Sequence, residues 1–179
     1  MTRRPADSVS GGPMEQLIQQ IFDFLAVAGK EAALFIVSMI PLIELRGSVP
    51  LGAALGMPWY TVFLISVVGN MVPVPFAILL GRPVFKWLKS TRLFSGIAQK
   101  YEQHLLAKAD KVVKYESIGL CLFVGVPLPG TGAWSGAVLA ALLGLPMKNA
   151  LLAIAGGVLI AGALMTAGSY GVVGILSLL

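Results

Sequence analysis

Three stretches of the chain contain no Asp, Glu, Lys or Arg: residues 47–81, 117–147 and 149–179. Each exceeds the ~20 apolar residues that cross a bilayer as a helix. Polar positions frame these runs and predict the elements around them. Residues 1–13 are a Gly/Pro/Ser-rich polar tail expected to be disordered. Arg3 and Arg4 are followed by no apolar core and cleavage site at signal-peptide spacing. Residues 14–28 read as an amphipathic helix: Met14, Leu17, Ile18, Ile21, Leu25 and Ala28 recur at helical spacing, opposite Glu15, Gln16, Gln19, Gln20 and Asp23. It lies in the interface or spans with its polar face against protein.

Residues 31–57 begin apolar and are interrupted by Pro41, Glu44, Arg46, Gly47 and Pro50. Both prolines disfavour a continuous helix. The apolar arms are too short to span, which predicts a re-entrant hairpin with backbone satisfied by protein or by a watery cavity. Residues 58–81 read as a span, with Asn70, Pro73 and Pro75 breaking or kinking its second half. Residues 82–116 place Phe94, Ile97, Tyr101, Leu105 and Val112 at helical spacing and read as an amphipathic helix on the membrane surface. Residues 117–145 form a second interrupted stretch around Pro127, Pro129, Gly130 and Gly132, residues 147–168 a second span, and 169–179 a short apolar tail. Ala153, Gly157 and Ala161 give that span a small-residue face for close helix packing.

Composition agrees. Hydrophobic residues make up 57% and charged residues 12%, with a mean hydropathy of +0.87. Ordinary soluble domains carry about 25% charge. A water-soluble enzyme and a nucleic-acid module are therefore excluded. The net charge of +5 does not reopen the second. Eight basic and three acidic residues lie in 82–116, close to span ends. The positive-inside rule makes this segment cytoplasmic in an inner-membrane, multi-pass protein, with its basic residues on anionic headgroups.

The halves resemble each other at an offset of 88 residues. Pro41, Leu51, Ala53, Leu55, Gly56, Pro58, Leu64 and Gly69 recur as Pro129, Leu139, Ala141, Leu143, Gly144, Pro146, Leu152 and Gly157. If 82–116 is cytoplasmic, the first hairpin opens outside and the second inside. Inverted repeats with broken helices are a transporter design with the site at the midplane. The expected fold is an all-α integral membrane domain over residues 14–179: two inverted re-entrant hairpins, each followed by a transmembrane span (repeats 31–81 and 117–168), with amphipathic surface helices. Pro41 and Pro129 should face each other near the midplane.

Glu44 and Arg46 carry the sharpest chemistry, since each charge at membrane depth costs about 2.5–3.5 kcal/mol on insertion scales. Residues i and i+2 do not share a helix face, but in an unwound segment they can point the same way. One reading is a mutual ion pair, or pairing to the opposite hairpin's backbone, that locks the fold. The other is that Glu44 carries protons and Arg46 binds an anionic group. Asn70 either hydrogen-bonds a carbonyl freed by Pro73 or lines the pathway. Pro127, Pro129, Thr131 and Trp134 lie in PLPGTGAW, where Trp134 is an interface anchor or a wall of a substrate cavity. His104, the single histidine, reads as solvated, and Cys121, the single cysteine, as a packing or lipid-facing residue. Ser135 in GAWSG has no histidine base near it. No catalytic residue, metal or cofactor is expected.

Together PLIELRGSVPLGAALG (41–56), GNMVPVPF (69–76) and PLPGTGAW (127–134) resemble the small multidrug export proteins, a family similar in layout to the DedA, or VTT, membrane proteins. The resemblance runs from about residue 31 to 172. It implies a polytopic inner-membrane protein of transport function. The DedA-like layout implies movement of polyprenyl-phosphate or phospholipid, with acidic and arginine residues in the hairpins. Only Glu44 and Arg46 can take that role, because the second hairpin carries no charge. The expected function is a transporter or flippase for an amphiphilic, anionic or lipid-linked molecule. The alternative is a non-transporting scaffold or assembly factor. The expected partners are membrane lipids and an amphiphilic or lipid-phosphate substrate, with a homo-oligomer left open and nucleic acid excluded. The topology is checked by cysteine substitution at Lys100, which should resist impermeant thiol reagents in intact cells; labelling from outside would reverse the orientation of both halves.

Overall fold

The computed structural model describes residues 29–91, 95–107, 110–128 and 130–176, and among them every regular element is a helix. The tail over 1–13, the helix expected over 14–28, Phe94 and Pro129 lie outside the described residues. The helices are α1 (29–39), α2 (Glu44–Ala54), α3 (Trp59–Met71), α4 (Val74–Ser90), α5 (Ser95–Ala107), α6 (Asp110–Gly125), α7 (Ala133–Leu143) and α8 (Met147–Leu176). Two helical runs, Trp59–Ser90 and Met147–Ile175, are long and apolar enough to cross a membrane. Leu64, Leu79, Leu152 and Leu164 on these runs stay more than half exposed, as a lipid-facing surface requires.

The helix ends recur 88 residues apart for a local reason. The arm α2 closes at Gly56, whose φ of +68° suits a residue without a Cβ, and α7 closes at Gly144 with φ +74°. In both, the next N–H reaches back to the helix: Met57 to the Gly52 carbonyl at 3.1 Å, and Leu145 to the Ala140 carbonyl at 3.0 Å. Pro58 and Pro146 then open the long helices, their carbonyls accepting from Val62 at 3.1 Å and Ala150 at 2.9 Å. Pro41 follows the end of α1, and Pro73 separates α3 from α4.

Packing crosses between the halves. The arm α2 lies on α8, and α7 lies on α4. The second contact is close because a Cβ on Gly81 would stand 2.8 Å from Ala141 Cβ. The small-residue face of α8 meets α6: Ala153 and Ala161 are buried, and Gly157 lies under the Cys121 carbonyl. On the first half, Gly69 of α3 lies correspondingly under the Phe35 carbonyl of α1.

Several boundaries differ from the sequence reading. Pro50 sits inside α2 without ending it. A single lost backbone bond is outweighed where a helix is packed on both sides. Segment 82–116 is not one surface helix. It divides among the end of α4, α5 and the start of α6, with Ala98 and Leu105 buried. Charge marked its limits in the sequence, but long basic stems can lie along apolar surface while helices run on beneath them. The span expected to end at 168 continues through Gly168, Gly171 and Gly174 to Leu176, since no proline or capping turn intervenes.

Close approach makes Gly157 a sensitive position. A Cβ there would stand 2.6 Å from the Cys121 carbonyl oxygen and from Val124 Cβ. Gly157→Val should destabilise by roughly 1–3 kcal/mol as overpacking does. Gly168→Ala, with nothing within 4 Å, should be neutral or stabilising. Thermal unfolding of both variants in the same detergent checks the contrast.

Candidate functional site

Helix breaks leave backbone groups without partners, and in this chain the opposite half supplies them. The helix α7 starts at Ala133 with no side chain of its own capping it. Glu44, the first residue of α2 and 6% exposed, provides the cap from the other half. Its Oε1 accepts the Trp134 N–H at 3.0 Å, and the Ala133 N–H also donates to the carboxylate. A negative group at a helix N-terminus is favoured by the helix dipole as well as by these bonds. Gly132 makes the approach possible. Its φ of +150° with ψ −174° is a conformation for glycine, and a Cβ there would collide with Glu44 Oε2.

Arg46 serves the turn before α7. Its Nη1 donates to the Leu128 carbonyl at 2.6 Å, and its Nη2 to Thr131 Oγ1 at 2.8 Å and, at 3.5 Å, to the Val126 carbonyl. Thr131 is buried and can donate its hydroxyl to the Val126 or Leu128 carbonyl. Pro127 lies exposed on this turn and offers no N–H. Trp134 adds a third link, its Nε1 donating to the Met39 carbonyl at 3.0 Å at the end of α1. It ties the second half to the first.

Glu44 and Arg46 sit in the first turn of a helix rather than in an unwound segment, and each reaches the other half. The left-handed conformation of Glu44, φ +51°, turns the chain into the helix there. Among the described residues the ion pair in contact is Lys89–Glu102 on α4 and α5. Tyr101 of α5 stacks on Phe85 with ring centroids 6.0 Å apart. Burial pushes the Tyr101 hydroxyl above its ordinary range, and the negative charge of Glu44 adds to the push. Helix α5 thus reaches the neighbourhood of the clasp.

Asn70 is 1% exposed, and its Oδ1 has no hydrogen-bond partner. It bonds no carbonyl freed by Pro73. His104 is exposed and Cys121 half-buried. Ser135 is buried and bonds only the Gly132 carbonyl, at 3.4 Å. Among the described residues no group of three His, Cys, Asp or Glu side chains could hold a metal ion. A cavity of about 410 Å³ between α3 and α8, lined by Trp59, Phe63, Ala163, Thr166, Ala167 and Tyr170, does not touch Glu44 or Arg46.

The sequence reading missed the basic caps on the arms. Lys30 donates to the Leu55 carbonyl at 3.0 Å, and Arg82 to the carbonyls of Ala141 and Leu142. The signal was a cation at the edge of an apolar run, since cations suit helix C-termini; the turn that each one caps is distant in sequence.

Residues 44–164 match the family described as "Putative small multi-drug export protein". The chain belongs to this family. The match begins at Glu44 and takes in both halves of the clasp. No curated protein and no solved structure matches the chain. Family and helices together make this a membrane protein.

The contact between Gly132 and Glu44 gives a test of the clasp. Gly132→Ala should cost about 1–3 kcal/mol from backbone strain alone. Adding Glu44→Ala should restore only the part owed to the collision. A double-mutant cycle on thermal stability should therefore show coupling of about 0.5–3 kcal/mol; simple additivity would mean that the two residues do not meet.

Proposed function

We propose that the protein is a multi-pass inner-membrane carrier that moves a small amphiphilic molecule, anionic or lipid-linked, across the bilayer. The observation that carries this reading is the clasp of Glu44 and Arg46 across two halves whose helix ends recur at one offset. Each 11-residue arm is about 16 Å long, half the ~30 Å hydrocarbon core. Such arms suit re-entrant hairpins, and opposed hairpins suit two inverted halves that rock about a central site. Residues 82–116 then lie in the cytoplasm. In this mechanism the substrate's anionic group takes the place of the Leu128 carbonyl and Thr131 hydroxyl on Arg46, whose planar fork suits phosphate and carboxylate. Asn70, Pro127, Thr131 and Trp134 border the opening, and release of the clasp lets the halves part.

The same clasp suits a non-transporting scaffold, because Arg46 is already engaged by the second half. Flux separates the two. In reconstituted vesicles, the wild-type protein should speed translocation of a fluorescent anionic lipid analogue. Arg46→Lys should cut that rate about tenfold or more while the protein stays folded, since one lost charge-assisted bond is worth about 1.5–3 kcal/mol. Full activity in the Glu44→Gln, Arg46→Met double variant would remove both residues from the transport mechanism. Folding without flux in the wild type would favour the scaffold.

A further inference from the structure

The unpartnered oxygen of Asn70 has a place in the packing of α2 on α3. These helices run antiparallel, joined by the turn at Gly56. Gly52 of α2 lies against Val62 of α3. One turn back on α2 and one turn on along α3, Ser48 Oγ donates to Ser66 Oγ at 2.7 Å, both fully buried. The same four-residue step makes Glu44 and Asn70 the next pair in this register. Along it the sequence of the two helices places a polar row. A buried acceptor left without a donor costs about 1–3 kcal/mol, and such an atom calls for an explanation. An ionised carboxylate cannot provide one, because it only accepts. A protonated carboxyl group is a donor.

We propose that Glu44 and Asn70 form a proton-binding site. In the ionised state the carboxylate caps α7 through the Trp134 and Ala133 N–H groups. On taking a proton from water at the oxygen over Gly132, it becomes a neutral acid and donates that O–H to Asn70 Oδ1. The charge on the α7 N-terminus is lost in the same step, so the bonds across the two halves weaken as the bond within the first half forms. Arg46 on the same helix and Tyr101 on α5 are the titratable groups that face Glu44. Helix α7 carries none, and Tyr60, the titratable residue of α3, stands at its far end. The site deepens the transport reading, for which it would supply the coupling, but its test needs no flux, so either can fail alone.

Trp134 reports on the site directly, since its N–H is bonded to Glu44. In the full-length protein with Trp59→Phe and Trp87→Phe, Trp134 emission should follow a one-proton titration that survives Tyr101→Phe. Glu44→Gln should abolish it and hold the emission at the low-pH end, because the Gln amide can donate to Asn70 as the protonated acid does. Asn70→Leu removes a partner of the protonated form, so proton affinity should fall about tenfold or more and the midpoint should move down by at least one pH unit. Circular dichroism and gel filtration check the fold. Infrared difference spectra of the protein without the Asn70 change should show a carboxylic acid band at low pH that Glu44→Gln removes, which keeps the test open if Asn70→Leu does not fold. An unchanged or raised midpoint in Asn70→Leu, a titration that persists in Glu44→Gln, or no acid band would overturn the site.

Discussion

Backbone groups at helix breaks must find partners, and in apolar surroundings only protein can provide them. Two charged side chains meet that demand here. Glu44 satisfies the first N–H groups of α7, and Arg46 satisfies carbonyls of the turn before it. Both act on the other half of the chain, and Trp134 returns the bond to the end of α1. A charge facing hydrocarbon would be costly; a charge bonded to several backbone dipoles replaces most of its lost hydration. The clasp therefore fixes how the halves sit together, and the exchange of arms between them follows from it.

That exchange shapes the cooperativity of the fold. The arm α2 packs on α8 and α7 packs on α4, so neither half buries its short arm against its own long helix alone. The arms are capped at their far ends by Lys30 and Arg82. Cations thus sit where the helix dipoles end, and the carboxylate sits where one begins. The centre holds its charges through geometry that a single side chain can undo.

Much of this was legible in the sequence. Pro41, Pro73 and the repeated Leu-Gly-x-Pro turns mark real helix ends, because proline and a left-handed glycine act through local backbone chemistry. The small-residue face of α8 does pack closely, as its four-residue spacing indicated. Glu44 and Arg46 stood out by their cost, but their partners did not. Those partners are main-chain atoms some 80–90 residues away, and carbonyls carry no sequence signal. Pro50 misled because tertiary packing overrode a local preference. The division of 82–116 into three helices was hidden because charge density does not record where a helix ends.

Glu44 and Gly132 stand 88 residues apart, the offset at which the helix ends recur, and they touch. Equivalent positions of the two halves therefore meet each other. Were the halves identical, this point would bring either two carboxylates or two glycines together. Two ionised carboxylates would repel, and both could not fit where Gly132 now leaves room. Two glycines would leave the α7 N-terminus uncapped. One acid against one glycine solves both problems, and only a chain whose halves differ can have it. A pair of identical half-length chains could not build this junction, so unlikeness of the two halves is a condition of the clasp.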